Sequence, residues 1–302
     1  MSSRILWPVL GLGLICACTG EDVAGDGSVL PSYRGGVVLS EGFPYTEEGL
    51  DPLVFTDGWS IQFTSFAVTV ASVTLTDPET QAPSAWTGLS VLDLARPTTG
   101  VELPLIENVL AIRQNVGTTL GVASAAAENV SATQAVYDRM VAQGWTAYIE
   151  GTATSSSGRQ IGIEVGFAAP TQFRSCTNGT DGTAGLVVTE GGPTSAFFYP
   201  HLVHMFWDEL AGTGAALRFD PWAAVAGSDG IVTADELATQ DLLDMRDAAG
   251  NRILDRTTGN PVVYDDGGLL SGSQLDLLSF VTYAFRQSVH FNGLGYCAWT
   301  AL

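Results

Sequence analysis

Trp59-Ser60-Ile61-Gln62-Phe63-Thr64-Ser65-Phe66-Ala67-Val68-Thr69-Val70 is the stretch that decides the fold. Trp59, Ile61 and Phe63 alternate with polar residues, the period of a half-buried strand. Phe66, Val68 and Val70 then continue the alternation in the opposite parity. Strand side chains change face at every residue, so a parity switch within one run predicts a bulge or a bend between sheets. Outward from this run, further strands are expected at 89–94, 116–122, 145–153, 160–167, 186–189 and 196–199, separated by Gly-, Pro- and Asn-rich turns. One helix interrupts them. Ser131 and Gln134 form a capping-box pattern, Val136 and Met140 share a face, and Gly144 stands where a helix-ending glycine belongs.

After Pro200 the pattern changes. Segments 201–210, 233–246 and 273–290 read as helices, with Leu278, Phe285 and Val289 at helical spacing, and 251–264 reads as a hairpin turning at Thr257-Thr258-Gly259-Asn260. The expected fold is mainly β and sandwich-like over 35–200, with a mostly helical C-terminal part over 201–302.

The N-terminus carries Arg4 and then an apolar run from Ile5 to Ile15, too short to span a bilayer and suited to a signal peptide. It ends in Ile15-Cys16-Ala17-Cys18, which resembles the lipobox of bacterial lipoproteins. The resemblance implies a signal peptide over 1–18 and diacylation of Cys18. Thr19, where an Asp would retain the protein at the inner membrane, implies an outer-membrane address. Residues 19–34 read as a tether. The alternative is an ordinary cleaved signal. Beyond it two cysteines remain, Cys176 and Cys297; in an oxidising compartment one disulfide between them is the simplest account, and two separate buried thiols the other.

Acidic residues outnumber basic ones 32 to 12, and the chain has no lysine. That field repels nucleic acid and is compatible with cations, although acidity alone often serves only solubility. The chain has three histidines. His201, His204 and Asp208 stand at i, i+3 and i+7, one face of an α-helix, and His290 follows near the C-terminus. Imidazoles with a carboxylate suit zinc or another transition metal. Chance spacing and simple packing of the histidines are the alternative.

Asp229-Gly230-Ile231-Val232-Thr233-Ala234-Asp235-Glu236 resembles the second half of an EF-hand loop, with Asp229, Ile231, Thr233 and Glu236 at ligand positions. Val225 and Gly227 occupy the first two acidic positions, so calcium binding is not expected, and Thr233 with Glu236 reads as a capping box. No nucleophile elbow, phosphate loop or His-Glu-x-x-His is present.

Several motifs together resemble a group of lipoproteins from high-GC bacteria. They are Asp57-Gly58-Trp59, with Phe63 and Phe66; Glu150-Gly151-Thr152-Ala153; His201-x-x-His204-x-Phe206-Trp207-Asp208; and His290-Phe291-Asn292-Gly293-Leu294-Gly295-Tyr296-Cys297. The resemblance implies that the histidines belong to the fold, and it carries no activity. This chain departs from the group where Leu202-Val203 replaces Gly-Asp and where the calcium-type aspartates are lost.

The expected function is that of an outer-membrane-anchored lipoprotein acting as a metal- or ligand-binding module. Its membrane contact is the lipid anchor, and its protein or small-molecule partner is unspecified. The alternatives are a zinc-dependent hydrolase using the same histidines with a base such as Glu209, and a structural envelope protein without metal.

Overall fold

Trp59–Thr76 is one 18-residue strand. The parity switch is a bulge: opposite Ala147–Ser155, Phe63 pairs with Gly151 and Ser65 with Glu150, so Thr64 is the extra residue. A second shift between Val70 and Ser72 coincides with a change of partners, because the C-terminal half lies between Pro83–Asp93 and Arg113–Leu120. Trp59, Ile61 and Phe63 before the bulge, and Phe66, Val68 and Val70 after it, therefore all reach the same core.

The structure is a computed structural model that describes residues 27–46, 52–96, 99–211 and 215–302. Cys18, the signal segment and residues 19–26 lie outside these. Two sheets organise the described chain. The ten-stranded sheet runs in the order Ile231–Thr233, Gln160–Phe167, Ala147–Ser155, Trp59–Thr76, Arg113–Leu120, Thr171–Arg174 and Ala298–Ala301, with Pro83–Asp93 also on the long strand. The six-stranded sheet runs Gly295–Tyr296, Val289–Phe291, Pro193–Pro200, Gly27–Tyr33 and Val101–Glu102, with Ile106–Val109 also on Gly27–Tyr33. Both sheets contribute to one large core, across which the hydroxyls of Tyr33 and Thr118 hydrogen-bond. On the other face of the long strand, Val136 and Met140 of helix Gln134–Gln143 pack on Ala67, Val91 and Tyr148.

Four expectations need correction. Of the expected tether over 19–34, residues 27–33 form a strand instead. Val29 and Tyr33 are fully buried, and the strand pairs parallel with Pro193–Pro200, which places it inside a sheet.

The cap of helix Gln134–Gln143 is Thr133, whose hydroxyl accepts from the Val136 N–H, and Gly144 ends the helix in the left-handed conformation. Ser131 instead brackets Asp93, accepting from its N–H and donating to its carbonyl.

The C-terminal part is not mostly helical. Among its described residues the α-helices span only Asp220–Val225, Ala234–Leu237 and Leu277–Gln287, and it adds strands to both sheets. Short aspartate side chains account for much of this. Asp241 accepts from the Leu243 N–H, Asp247 from Ala249 and Asn251, Asp255 from Thr257 and Thr258, and Asp266 from Leu270. Such local bonds offer the backbone an alternative to the helix ladder. Asp276 likewise caps at Ser279 and starts the last helix at Leu277, four residues later than the pattern suggests. The hairpin at 251–264 does form, with Leu254 facing Pro261.

The fourth correction, to the 201–210 helix, bears on the site below. Among the described residues no helix is long and apolar enough to cross a membrane.

Asp57 ties the start of the long strand to the C-terminal part. Its Oδ2 accepts from the Phe219 and Asp220 N–H groups, while Oδ1 is buried without a partner. Burial pushes its carboxyl up to about 6, with the two N–H bonds opposing and the nearby Asp220 charge reinforcing the shift. A raised folded-state value means that the folded state holds this proton more tightly. The contribution is therefore complete below about pH 3.8 and is lost as pH rises through about 6. Asp57→Asn keeps an acceptor oxygen but has no proton to lose. Relative to wild type it should gain stability between pH 4 and pH 7, on the order of 2 kcal/mol. Urea unfolding of both proteins across this range checks it; a pH-independent difference contradicts the assignment.

Candidate metal centre

Strand Pro193–Pro200 ends at a proline, which has no N–H to extend a ladder. The chain then enters a 3-10 turn at Leu202–Phe206, with His201 as its N-cap. Leu202, Val203, Met205 and Phe206 are all buried. With four of its five residues apolar and buried, this segment lacks the broad polar face of a surface helix. It forms one tight turn in which Phe206 packs within 5.5 Å of the Phe55 ring and 4.9 Å of the Trp222 ring, centroid to centroid. Trp207 then returns to extended backbone, which replaces the expected α-helix over 201–210.

In a 3-10 turn residues three apart are eclipsed, so His204 comes back over His201. The His204 N–H bonds the His201 carbonyl at 3.2 Å. His290 arrives from the neighbouring strand, Val289–Phe291, and not from a helix end. It pairs with Tyr199, and the His201 N–H bonds the Ser288 carbonyl at 2.8 Å. The hairpin beyond His290 depends on its sequence. Asn292 and Gly293 both have positive φ, and the Asn292 side chain accepts from the Phe197 N–H. A side chain on Gly295 would collide with the Thr177 carbonyl. The Cys176–Cys297 disulfide closes the same corner, as the cysteine count suggests.

All three histidines of the chain thus meet. Each offers a ring nitrogen within 4.8 Å of the others, and the ring centroids are 4.9, 5.5 and 5.7 Å apart, with interplanar angles of 61°, 81° and 78°. Three imidazoles bound tetrahedrally at 2.0–2.1 Å place their ring centroids about 5.2 Å apart, so the arrangement suits one small cation after slight closure. Trp207 stacks on His204 at 4.0 Å, and Tyr199 lies 5.0 Å from His201. Gly36, with φ +72°, leaves room for the Tyr199 hydroxyl where a Cβ would stand.

Burial, with the neighbouring imidazoles adding to it, pushes His201 down to about 4 and His204 to about 2; burial also lowers His290. All three are therefore neutral at pH 7, the form that ligates metal. His201 Nδ1 and both ring nitrogens of His290 are buried without a hydrogen-bond partner. A buried polar nitrogen left unpaired costs about 1–3 kcal/mol, and a cation on the one lone pair of each neutral ring would relieve part of that cost. The group can hold a metal ion.

Asp208 is not part of it. Its carboxylate binds the Arg218 guanidinium and accepts from the Ala216 N–H. The seven-residue spacing holds only on an α-helix, and the chain leaves helical geometry at Trp207. The EF-hand-like residues are occupied as well: Glu236 accepts from the Thr233 N–H and hydroxyl, and Asp229 from the Ile231 N–H. Among the residues now seen around the cluster, Trp207 and Tyr199 carried a partial signal, as aromatics beside the histidines. Gly36 carried none, being distant in sequence.

Comparison with protein-family models, curated proteins and solved structures finds no match.

Proposed function

We propose that this chain is a metal-binding module of the bacterial envelope, lipid-anchored through Cys18 to the outer membrane, with His201, His204 and His290 holding a transition metal, zinc in the first instance. The observation that carries the metal reading is the meeting of all the chain's histidines, from a strand end, a 3-10 turn and a neighbouring hairpin. Neutral nitrogen donors in a buried setting suit a borderline cation far better than calcium, which takes oxygen ligands. The anchor reading rests on the Ala17-Cys18 junction and the apolar run before it.

Elemental analysis of protein isolated from envelopes should give about one equivalent of zinc or a neighbouring transition metal. Cobalt added to the stripped protein should give the visible absorption of a tetrahedral site. No metal and no cobalt spectrum would overturn the metal reading. Cys18→Ser should leave the protein unprocessed or in a soluble fraction; a variant that is still acylated would overturn the anchor.

A second reading, a zinc-dependent hydrolase, is favoured by one feature. Three protein donors leave a fourth position, as in catalytic zinc sites, and His201 also lines a pocket. Against it, among the described residues no carboxylate joins the histidine group to act as base. Metal-dependent hydrolysis of an activated ester tests it; no turnover above the stripped protein removes it.

A further inference from the structure

Beside the histidine cluster the surface opens into a pocket of about 570 Å³, within the usual range for small-molecule sites. Four separate segments build it: the turn after the first strand, the pair Tyr45 and Leu53, the 3-10 turn, and the tip of the C-terminal hairpin. Val38 and Val203, 2% and 1% exposed, are its buried apolar residues. Val37 and Leu294, 46% and 66% exposed, present apolar surface to water at its edge. Large apolar side chains exposed beside a concave apolar site mark a place that an apolar molecule would cover.

Among the described residues that line the pocket, Arg34 is the only arginine, and no carboxylate lines it. Its guanidinium lies 4.2 Å above the Phe197 ring, and among the described residues no carboxylate forms an ion pair with it. A cationic ligand would be repelled there. A neutral one would take water from the guanidinium and give nothing back. An anionic head on an apolar body satisfies both parts of the pocket, and a planar carboxylate matches the guanidinium fork.

We propose that this pocket binds a lipophilic monocarboxylate of the medium-chain fatty-acid class. Its aliphatic body lies against Val38, Leu53 and Val203, and its carboxylate on Arg34. The site shares His201 with the metal cluster and is otherwise independent of it.

Calorimetric titration with decanoate, below its micelle concentration and in the presence of a chelator, tests this. Saturable one-to-one binding in the micromolar range is expected. Arg34→Gln should weaken decanoate at least tenfold and leave decanol unchanged. Leu294→Trp, a surface change at the edge of the pocket, should weaken both. Absence of saturable binding, equal decanoate affinity in Arg34→Gln, or tighter binding of decyltrimethylammonium would each overturn the proposal. Binding that appears only on adding zinc would assign the carboxylate to the metal and overturn the role of Arg34. Metal loading, measured separately, stands or falls on its own.

Discussion

Zinc added to the stripped protein should raise its unfolding temperature by roughly 5–10 °C when free zinc exceeds the dissociation constant a hundredfold. Binding to the folded state alone contributes about 2.7 kcal/mol at that excess. For a chain of this size each kilocalorie corresponds to a few degrees, roughly 2–4 °C. The shift should vanish in His201→Ala and His204→Ala, because two imidazoles fall short of the three protein donors that zinc sites ordinarily keep. His290→Ala should abolish it too, but His290 is 3% exposed and its loss also leaves a void. The partly buried pair, His201 and His204, therefore gives the cleaner test. Asp208→Asn should keep the full shift, since that carboxylate is committed to Arg218. Differential scanning calorimetry with and without metal decides the matter. An unchanged shift in both single variants would mean that zinc binds elsewhere.

Reduction of the Cys176–Cys297 bridge, or Cys297→Ser, should cost about 4 kcal/mol of unfolding free energy, within the 2–5 kcal/mol range for native disulfides. The bridge spans 121 residues, and long closures restrict the unfolded chain most. A second effect is local. Beside the bridge the Thr177 N–H bonds the Tyr296 carbonyl, and the Gly179 N–H bonds the Phe291 carbonyl. These bonds hold the hairpin that presents His290, so reduction should also weaken metal binding while leaving His201 and His204 in place. Urea unfolding and metal titration with and without reductant measure both. A stability loss below about 1 kcal/mol would contradict the assignment.

The β architecture was legible because strand periodicity is local. The bulge at Thr64 follows from the parity of six side chains, and Gln160–Phe167 matches its expected limits. The helical reading failed where polar side chains compete with the helix. Apolar spacing says nothing of whether Asp241 or Asp247 will bond its own backbone. The histidine group was legible for a reason only partly correct. Three-residue spacing brings His201 and His204 together in an α-helix and a 3-10 turn alike, whereas the seven-residue step to Asp208 does not survive the change. His290 was expected at the end of the 273–290 helix, yet it arrives on a strand, in the corner closed by Cys176 and Cys297. The pocket was not legible at all, since its walls come from four stretches that only the fold assembles.

The first strand sits between its sheet neighbours rather than at an edge. Ser28 lies opposite Pro193, and Val29 opposite Ile106. A chain made from its N-terminus must therefore keep this strand unpaired on one side until Pro193–Pro200 has been synthesised. Closing so long a loop is entropically expensive before any contact rewards it, which slows folding. His201 and His204 follow that strand at once, but His290 comes almost ninety residues later. The three ligands can thus meet only near the end of assembly. Metal capture would then report a finished fold, and a truncated or stalled chain would offer two histidines at most.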